Sequence, residues 1–284
     1  MALNIKTLLT RSITGIVFVM VLLSFMLWNY YSFSLFFFVV AMIGLYEFYK
    51  ISGKLNAKPL IVPGYVFAVL LYLSNCLFDF DDLGLNMKMV ILGTKISLAL
   101  GFILIFTGSI LSRKENAIHD ALFTIGGVIY VVLPLSLLNQ LVFNVETGYT
   151  YDPKMVLGII LLIWCNDTFA YLGGSLFGKR KLIERISPGK TWEGTFTGII
   201  LSFALSFLLN TLLIPLPNYL WMIMGVLVPI FATLGDLIES KLKREADVKD
   251  SGKLMPGHGG ILDRFDSLLL VSPMVYLLLL LLKV

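Results

Sequence analysis

The chain has 284 residues, of which 58% are hydrophobic and only 14% are charged, and its formal net charge is +4. Its mean hydropathy of +0.89 lies far above that of soluble domains. Apolar runs of about 20 residues, the length that crosses a bilayer, recur along the sequence. The composition therefore excludes a soluble protein of ordinary kind and predicts a chain that lies mostly in lipid.

Nine apolar segments predict an all-α polytopic integral membrane protein with about nine transmembrane helices. They cover residues 12–28, 32–49, 60–78, 90–111, 121–143, 155–173, 192–215, 219–239 and 261–282. The first segment follows Lys6 and Arg11 and so resembles a signal peptide, but MLWNYYS lacks the small residues of a cleavage site, which favours a retained span. We expect two regions, with about five spans in residues 1–150 and about four in residues 151–284.

Basic residues fall at the N-terminus and in every second loop. They are Lys6, Arg11, Lys50, Lys54, Lys58, Arg113, Lys114, Lys179, Arg180, Lys181, Arg185, Lys190, Lys241, Lys243, Arg244, Lys249, Lys253 and Arg264. The opposite loops hold little beyond Lys88, Lys154 and the acidic stretch FDFDDLG at 78–84. Because positively charged loops stay in the cytoplasm, the pattern predicts a cytoplasmic N-terminus and an external C-terminus.

The two cysteines, Cys76 and Cys165, both fall inside predicted spans. They form no CxxC motif and offer no disulfide framework. We therefore expect two buried free thiols.

Acidic residues are concentrated in the C-terminal region, where ten of the 18 lie between Asp167 and Asp266. An unpaired carboxylate in hydrocarbon costs several kcal/mol, so such a residue usually faces a polar cavity or a cation. Solvation at the membrane surface is the alternative explanation for any single acid. The organised spacing of the whole set favours a site.

Two polar segments interrupt the apolar pattern, WCNDTFAYLGGSLFGKRK at 164–181 and ISPGKTWEGTFTG at 186–198. In the second we expect Ser187 as the N-cap and Pro188 as the first residue of a helix. Lys190 would then lie in the first turn, beside free backbone N–H groups that favour an anion, which suggests phosphate binding. The segment is not a P-loop, since the first glycine of that motif falls on Glu184.

The third polar segment covers residues 233–267. Asp236 and Glu239 share one helix face by their spacing, and so do Asp263 and Asp266 in the next helix. The flexible GHGG sequence at 257–260 lies between the two pairs, where its backbone can approach a ligand closely. Carboxylates that converge from two helix ends, near lysines, are typical of a site for a divalent cation and phosphate. Magnesium suits it better than zinc, because every candidate ligand except His258 offers oxygen.

These residues carry a resemblance to a known family. The chain resembles the phosphatidate cytidylyltransferases, or CDP-diacylglycerol synthases, in the spacing of Ser240, Leu242, Lys243-Arg244, Lys249-Asp250, Gly252, Pro256, His258-Gly259-Gly260, Asp263-Arg264 and Asp266. NDTFAY and SPGKTWEG are also similar to segments of that family. Met255 departs from it, where Leu, Ile or Phe is usual. The resemblance is specific over residues 164–267, and the first half adds only a similar hydropathy.

The resemblance implies that CTP and phosphatidate give CDP-diacylglycerol and pyrophosphate, with Mg²⁺ as cofactor. The number of cations and the identity of any second one stay open. It also implies an enzyme of the bacterial inner membrane with its site on the cytoplasmic side, no nucleic-acid partner, and a homodimer. The reaction needs no strong general base, because the nucleophile is a phosphate monoester that is largely dianionic at neutral pH.

We assign roles to the polar residues by their positions. The expected metal ligands are Asp236, Asp263 and Asp266, with Asp167 as the next candidate. The expected phosphate contacts are Lys190, Lys243, Arg244, Lys249 and Arg264, each of which is alternatively an anchor at the cytoplasmic face. His258 donates to a phosphate or holds the GHGG loop. Ser187, Gly259 and Gly260 complete the expected substrate contacts.

Two other functions fit part of the pattern. An ion- or proton-coupled transporter also uses carboxylates within spans, but it has no need of GHGG between lysines and paired aspartates. A CDP-alcohol phosphotransferase would carry a DGxxAR-type aspartate motif, which this sequence lacks. Gly194 and Gly198 form a GxxxG pattern, which is typical of helix packing and compatible with a dimer.

Overall fold

A computed structural model describes residues 5–76, 87–144, 150–213, 218–255, 257 and 259–282. Ten α-helices make up most of it: α1 Ile5–Trp28, α2 Tyr30–Lys54, α3 Ile61–Cys76, α4 Met87–Leu111, α5 Ala117–Gly127, α6 Leu133–Leu137, α7 Lys154–Phe177, α8 Trp192–Leu212, α9 Asn218–Glu245 and α10 Leu262–Leu282. Four short strands form two antiparallel hairpins, β1 Phe143–Asn144 with β2 Thr150–Tyr151 and β3 Lys181–Ile183 with β4 Ser187–Thr191.

Each of the nine predicted segments overlaps a helical stretch of the described residues, and residues 77–78 and 214–215 of two segments lie outside the described residues. Seven of these stretches are long and apolar enough to cross a bilayer, while Ser12–Trp28 and Ile61–Cys76 are shorter apolar helices. The prediction of an all-α polytopic membrane protein is therefore confirmed. The count of nine crossings stays a prediction.

Polar residues set several helix boundaries. Asn29 begins α2 with a capping box, in which its side chain accepts from the Ser32 amide and the Ser32 hydroxyl accepts from the Asn29 amide.

The predicted span at 121–143 is one helical run with an internal irregularity, since a π-helical turn, Val128–Val132, joins α5 to α6. Pro134 follows shortly after this turn, and because proline has no N–H to donate to the preceding turn, it accompanies the irregularity.

The expected start of the helix at Ser187 and Pro188 is wrong. Residues Ser187–Thr191 are extended and pair with β3, and α8 begins only at Trp192. Thr191 is the N-cap, with its hydroxyl accepting from the Gly194 amide at 3.2 Å. The residues before Thr191 include Pro188 and Gly189, which favour turns and extended backbone over a helix. The helix therefore starts after Thr191, the second possible N-cap, rather than after Ser187.

The chain forms two compact units, each built from two segments. The first consists of Met1–Gln140 and Glu245–Phe265, and the second of Leu141–Arg244 and Asp266–Val284. The first residues of α10 thus belong to one unit and its remainder to the other. The boundary that we expect near residue 150 stays a prediction.

Aromatic packing around the start of α10 forms part of the core of the first unit. The Phe265 ring packs edge-on against Phe18 of α1 and Phe37 of α2, with centroids 5.7 and 6.1 Å apart. Helix α2 carries much of this core, with Phe33 and Phe37 fully buried. The N-terminal helices therefore pack against a segment that follows them by more than 200 residues in the sequence.

Close packing of α7 on α8 dominates the second unit. A Cβ atom at Gly194 would lie 2.5 Å from the Ala170 carbonyl oxygen, and one at Gly198 would lie 2.5 Å from Asn166 Oδ1. Both glycines of the GxxxG pattern are thus used within the chain, because they allow α7 and α8 to approach closely. The two cysteines are free thiols, as predicted, but both are partly exposed rather than buried.

Replacing Gly194 with alanine should destabilise the second unit, because the added methyl group meets a backbone carbonyl that cannot move independently of its helix. Overpacking of this kind costs about 1–3 kcal/mol, so we expect a lower midpoint of thermal unfolding in detergent. Gly108→Ala in α4 is the matched control, since a Cβ there meets nothing within 4 Å. Alanine favours a helix over glycine by about 1 kcal/mol, so the control should unfold at the wild-type temperature or higher. Equal midpoints for the two variants would contradict the packing described.

Candidate active site

Three carboxylates converge in the second unit. Asp236 and Glu239 come from α9 and Asp266 comes from α10, and one oxygen of each lies within 4.8 Å of the others. Glu239 is fully buried, whereas Asp236 and Asp266 are partly exposed. We call these residues the acidic cluster. Like charges this close repel one another, so they require a compensating positive charge or shared protons.

A glycine on α9 explains why the carboxylates meet. A Cβ atom at Gly235 would lie 2.6 Å from the Asp266 carbonyl oxygen and 3.1 Å from the Ser267 Cα atom. The Ser267 hydroxyl adds a hydrogen bond to the Ala232 carbonyl oxygen at 3.2 Å. The two backbones therefore approach closely at Gly235, one residue before Asp236, and place Asp266 beside the α9 acids.

Two lysines contact the acidic cluster. Lys190 of β4 lies 2.5 Å from Asp236 Oδ2, and Lys243 donates to Glu239 Oε2 at 2.8 Å, one helical turn along α9. The Ser240 hydroxyl donates to the other Asp236 oxygen at 3.0 Å. Carboxylates and ammonium groups thus alternate across the site, and such a surface can bind a cation and a polyanion together.

Asp167 of α7 is exposed at this site, and its carboxylate interacts electrostatically with that of Asp266. Its neighbour Asn166 is almost fully buried and donates to Asp167 Oδ1 over a long 3.4 Å. Asp167, the next expected metal ligand, therefore lies near enough to Asp266 for the two charges to interact.

The hairpin β3–β4 presents further basic residues beside α9. Arg244 Nε donates to the Ile186 carbonyl oxygen at 3.4 Å, which ties the end of α9 to the hairpin turn. The Glu193 carboxylate accepts from the backbone amides of Lys179 and Arg180 at the entrance of the hairpin. Ser187 lies on β4, three residues before Lys190. Lys190, Arg244 and Ser187 therefore occupy one hairpin and its contact with α9.

The first unit holds the remaining predicted residues. Asp263 Oδ2 accepts from the amide and hydroxyl of Ser251 and from the amide of Gly260, at 2.7–3.0 Å. Gly259 adopts a φ of +83°, and a Cβ atom there would collide with the Asp263 carboxylate. Lys249 and Arg264 are exposed. His258 lies outside the described residues.

Sequence reasoning missed three residues of these arrangements. Glu239 shares its helix face with Asp236, which is a sufficient signal, but we did not include it among the metal ligands. Gly235 gives no signal, because only the approach of α10 gives it a role. Glu47 of α2 is buried and accepts three hydrogen bonds from residues 251–262. A lone acid in an apolar helix is its only trace in the sequence.

The described residues thus form a membrane protein in which apolar helices enclose carboxylates beside lysines. The sequence profile of the cytidylyltransferase family matches residues 9–282. The chain belongs to this family.

Known relatives include two that match almost the full length of the chain and one that matches less than half of it. A phosphatidate cytidylyltransferase of Staphylococcus epidermidis is 34% identical over 271 residues, which are 95% of this chain and 98% of that protein. One of Bacillus subtilis is 31% identical over 276 residues, 95% of this chain and 96% of that protein. One of Haemophilus influenzae is 44% identical over 134 residues, 44% of this chain and 46% of that protein.

Proposed function

We propose that this protein transfers the cytidylyl group of CTP to phosphatidate and forms CDP-diacylglycerol and pyrophosphate. The observation that carries the proposal is the acidic cluster with Lys190 and Lys243 in direct contact with it. The names of the relatives support the choice of substrates. The apolar helices around the cluster suit a lipid that carries a phosphate at the membrane surface.

The chemistry is a displacement at phosphorus. An oxygen of the phosphatidate phosphate attacks the α-phosphorus of CTP, and a new P–O bond forms. The bond from the α-phosphorus to the oxygen that leads to the β-phosphate breaks, and pyrophosphate leaves with the electron pair. A phosphate monoester has a second pKa of about 6 and is mostly dianionic at neutral pH, so no side chain has to remove a proton.

The acidic cluster fits a magnesium ion. All its donors are carboxylate oxygens, the kind that Mg²⁺ prefers, and one oxygen of each residue lies within 4.8 Å of the others. We propose Asp236, Glu239 and Asp266 as ligands, with Asp167 beside Asp266 and Asp263 also retained from the resemblance. When bound, Mg²⁺ would neutralise phosphate charge and stabilise the leaving pyrophosphate.

The lysines have a separate task. Lys190 and Lys243 hold their ammonium groups against the carboxylates, within the region that the phosphates would occupy, and Arg244 is fixed by the hairpin turn. Positive side chains held in place before the substrate arrives can orient two polyanions and reduce their repulsion. We retain Lys249, Arg264, Ser187, His258, Gly259 and Gly260 as proposed substrate contacts or catalytic residues.

The placement in the cell belongs to the same proposal. Nine crossings, with a cytoplasmic N-terminus and an external C-terminus, would put the basic hairpin on the side where CTP occurs. The bacterial relatives support the inner membrane as the location. The resemblance also implies a homodimer, and because α7 covers Gly194 and Gly198, such a dimer would use another surface.

The purified protein should convert CTP and phosphatidate to CDP-diacylglycerol and pyrophosphate only in the presence of Mg²⁺. Direct attack by the lipid phosphate requires both substrates in the site together, so initial rates should follow a sequential mechanism. Product formation in detergent micelles, measured while both substrate concentrations are varied, checks this. Ping-pong kinetics, or CMP bound covalently to the protein, would exclude direct attack.

Asp236→Asn, Glu239→Gln and Asp266→Asn should each lower CTP turnover by about 10²-fold or more, because each removes a negative charge from the proposed cation site. The Mg²⁺ concentration for half-maximal activity should rise as well. Asp263→Asn should also lower turnover, because the Asp263 carboxylate accepts from the backbone amides of Ser251 and Gly260. Asp247→Asn is the matched control: the side chain is exposed, and asparagine readily adopts its backbone φ of +51°. Monodisperse elution of all five variants establishes folding before the Mg²⁺ titration. Wild-type turnover with an unchanged Mg²⁺ requirement in Asp236→Asn or Asp266→Asn would remove those residues from the ligand set.

The orientation can be tested with single cysteines in a chain whose Cys76 and Cys165 are replaced by alanine. A cysteine at Lys54 or Lys181 should resist a membrane-impermeant thiol reagent in intact cells, because both positions are expected in the cytoplasm. A cysteine at Thr150, in the exposed hairpin between α6 and α7, should react. Labelling at Lys181 with protection at Thr150 would reverse the orientation.

A further inference from the structure

Glu47 is a buried carboxylate far in sequence from the acidic residues of the C-terminal region. It lies near the end of α2, an otherwise apolar helix, and is only 4% exposed. A charged group in such a place destabilises the protein unless hydrogen bonds compensate for the lost water. The donors that surround it therefore indicate what it does.

All three recorded donors to Glu47 come from one short segment. Oε1 accepts from the Ile261 amide at 3.1 Å, and Oε2 accepts from the Leu262 amide at 2.8 Å and from the Ser251 hydroxyl at 2.8 Å. The two amides belong to the start of α10, where backbone N–H groups lack partners within the helix. Glu47 thus caps α10 from a helix that precedes it by about 214 residues, and the helix dipole favours its negative charge.

Two glycines make room for this cap. A Cβ atom at Gly252 or at Gly260 would collide with the carboxylate oxygens of Glu47. Part of the glycine content of the segment 252–260 therefore serves the approach of an internal carboxylate. The Glu47 carboxylate thus accepts from Ser251, Ile261 and Leu262 and lies directly against the two glycines.

Ser251 connects this cap to a predicted catalytic residue. Its hydroxyl lies 2.8 Å from Glu47 Oε2 and 3.0 Å from Asp263 Oδ2, and its amide donates to the same Asp263 oxygen at 2.9 Å. The positions of the Asp263 carboxylate and of the first turn of α10 therefore depend on the same contacts. Loss of Glu47 would release both.

We propose that Glu47 is a positioning residue for the transferase reaction. It touches no substrate, and it fixes the start of α10, and thereby the setting of Asp263, by accepting hydrogen bonds from Ser251, Ile261 and Leu262. The proposal rests on the proposed function, since the positioned residue is assigned to that chemistry. The cap itself can be tested without any assay of activity.

The Glu47→Gln substitution tests this proposal with little change in the shape of the side chain. Glutamine keeps one acceptor oxygen, but its NH₂ group must face a backbone N–H or the Ser251 hydroxyl. In hydrogen–deuterium exchange without substrates, the amides of Ile261 and Leu262 should exchange faster than in the wild type. In the activity assay, kcat should fall about 10- to 100-fold, as for the loss of other residues that orient metal or catalytic groups. The KM for CTP should change much less, because no substrate contact is lost.

Two variants separate positioning from simple destabilisation. Glu47→Asp keeps both acceptor oxygens on a shorter side chain and should recover part of kcat. Asp120→Asn is the matched control: Asp120 is also 4% exposed and accepts from the backbone amide of Lys58 at 2.6 Å. It should lower the unfolding temperature without altering exchange at 261–262 or kcat. If Glu47→Gln does not fold, amide exchange at 261–262 and kcat are measured on Glu47→Asp and Ser251→Ala instead, and both effects should be smaller.

Unchanged exchange at 261–262 in a folded Glu47→Gln variant would overturn the cap. Faster exchange with a wild-type kcat would overturn the positioning role, as would an equal loss of kcat in Asp120→Asn. If the wild-type protein forms no CDP-diacylglycerol, the proposed function fails, and the exchange data still decide the cap.

Discussion

The structure depends on the compensation of carboxylates that are enclosed by apolar helices. Water solvates an ionised acid far better than hydrocarbon does, so each such residue must find a cation or several hydrogen-bond donors within the protein. The chain meets this requirement in two ways. In the second unit, acids gather and are opposed by lysines, whereas in the first unit backbone amides surround them. The two solutions suit different chemistry.

The negative charge of the acidic cluster is compensated by lysine ammonium groups, which other charged groups can replace. Lys190 and Lys243 end in flexible side chains, and an arriving divalent cation or a polyanion can take over either partner of each ion pair. Glu47 and Asp263 are held instead by amides and a hydroxyl that are fixed in the backbone or buried. Lysine partners that can be exchanged suit a site that binds and releases charged ligands. Fixed partners belong to the framework that keeps such a site in shape.

Local pattern was enough to predict much of this arrangement. The apolar segments marked the helices, and the i,i+3 spacing of Asp236 and Glu239 placed both on one face. The prediction that the helix starts at Ser187 was wrong, because Thr191 is also a good N-cap and β3 pairs with residues 187–191. Local sequence does not show which of the two possible starts is used. Gly235 and Glu47 lay beyond the reach of local pattern, since their roles arise from segments distant in sequence. We expected the Gly260 backbone to contact the substrate, but its amide donates a hydrogen bond to the Asp263 carboxylate instead.

The long separation between Glu47 and its donors has a consequence for the biogenesis of the protein. Ribosomes add about 5–20 residues per second, so the 204 residues between Glu47 and Ser251 take roughly 10–40 s to make. During that interval α2 is already synthesised, but the donors for its carboxylate do not yet exist. The nascent chain therefore carries an uncompensated acid until residues 251–262 have been made. The insertion machinery, or water at the bilayer surface, must shelter Glu47 until α10 begins, so the first unit cannot be completed before that point.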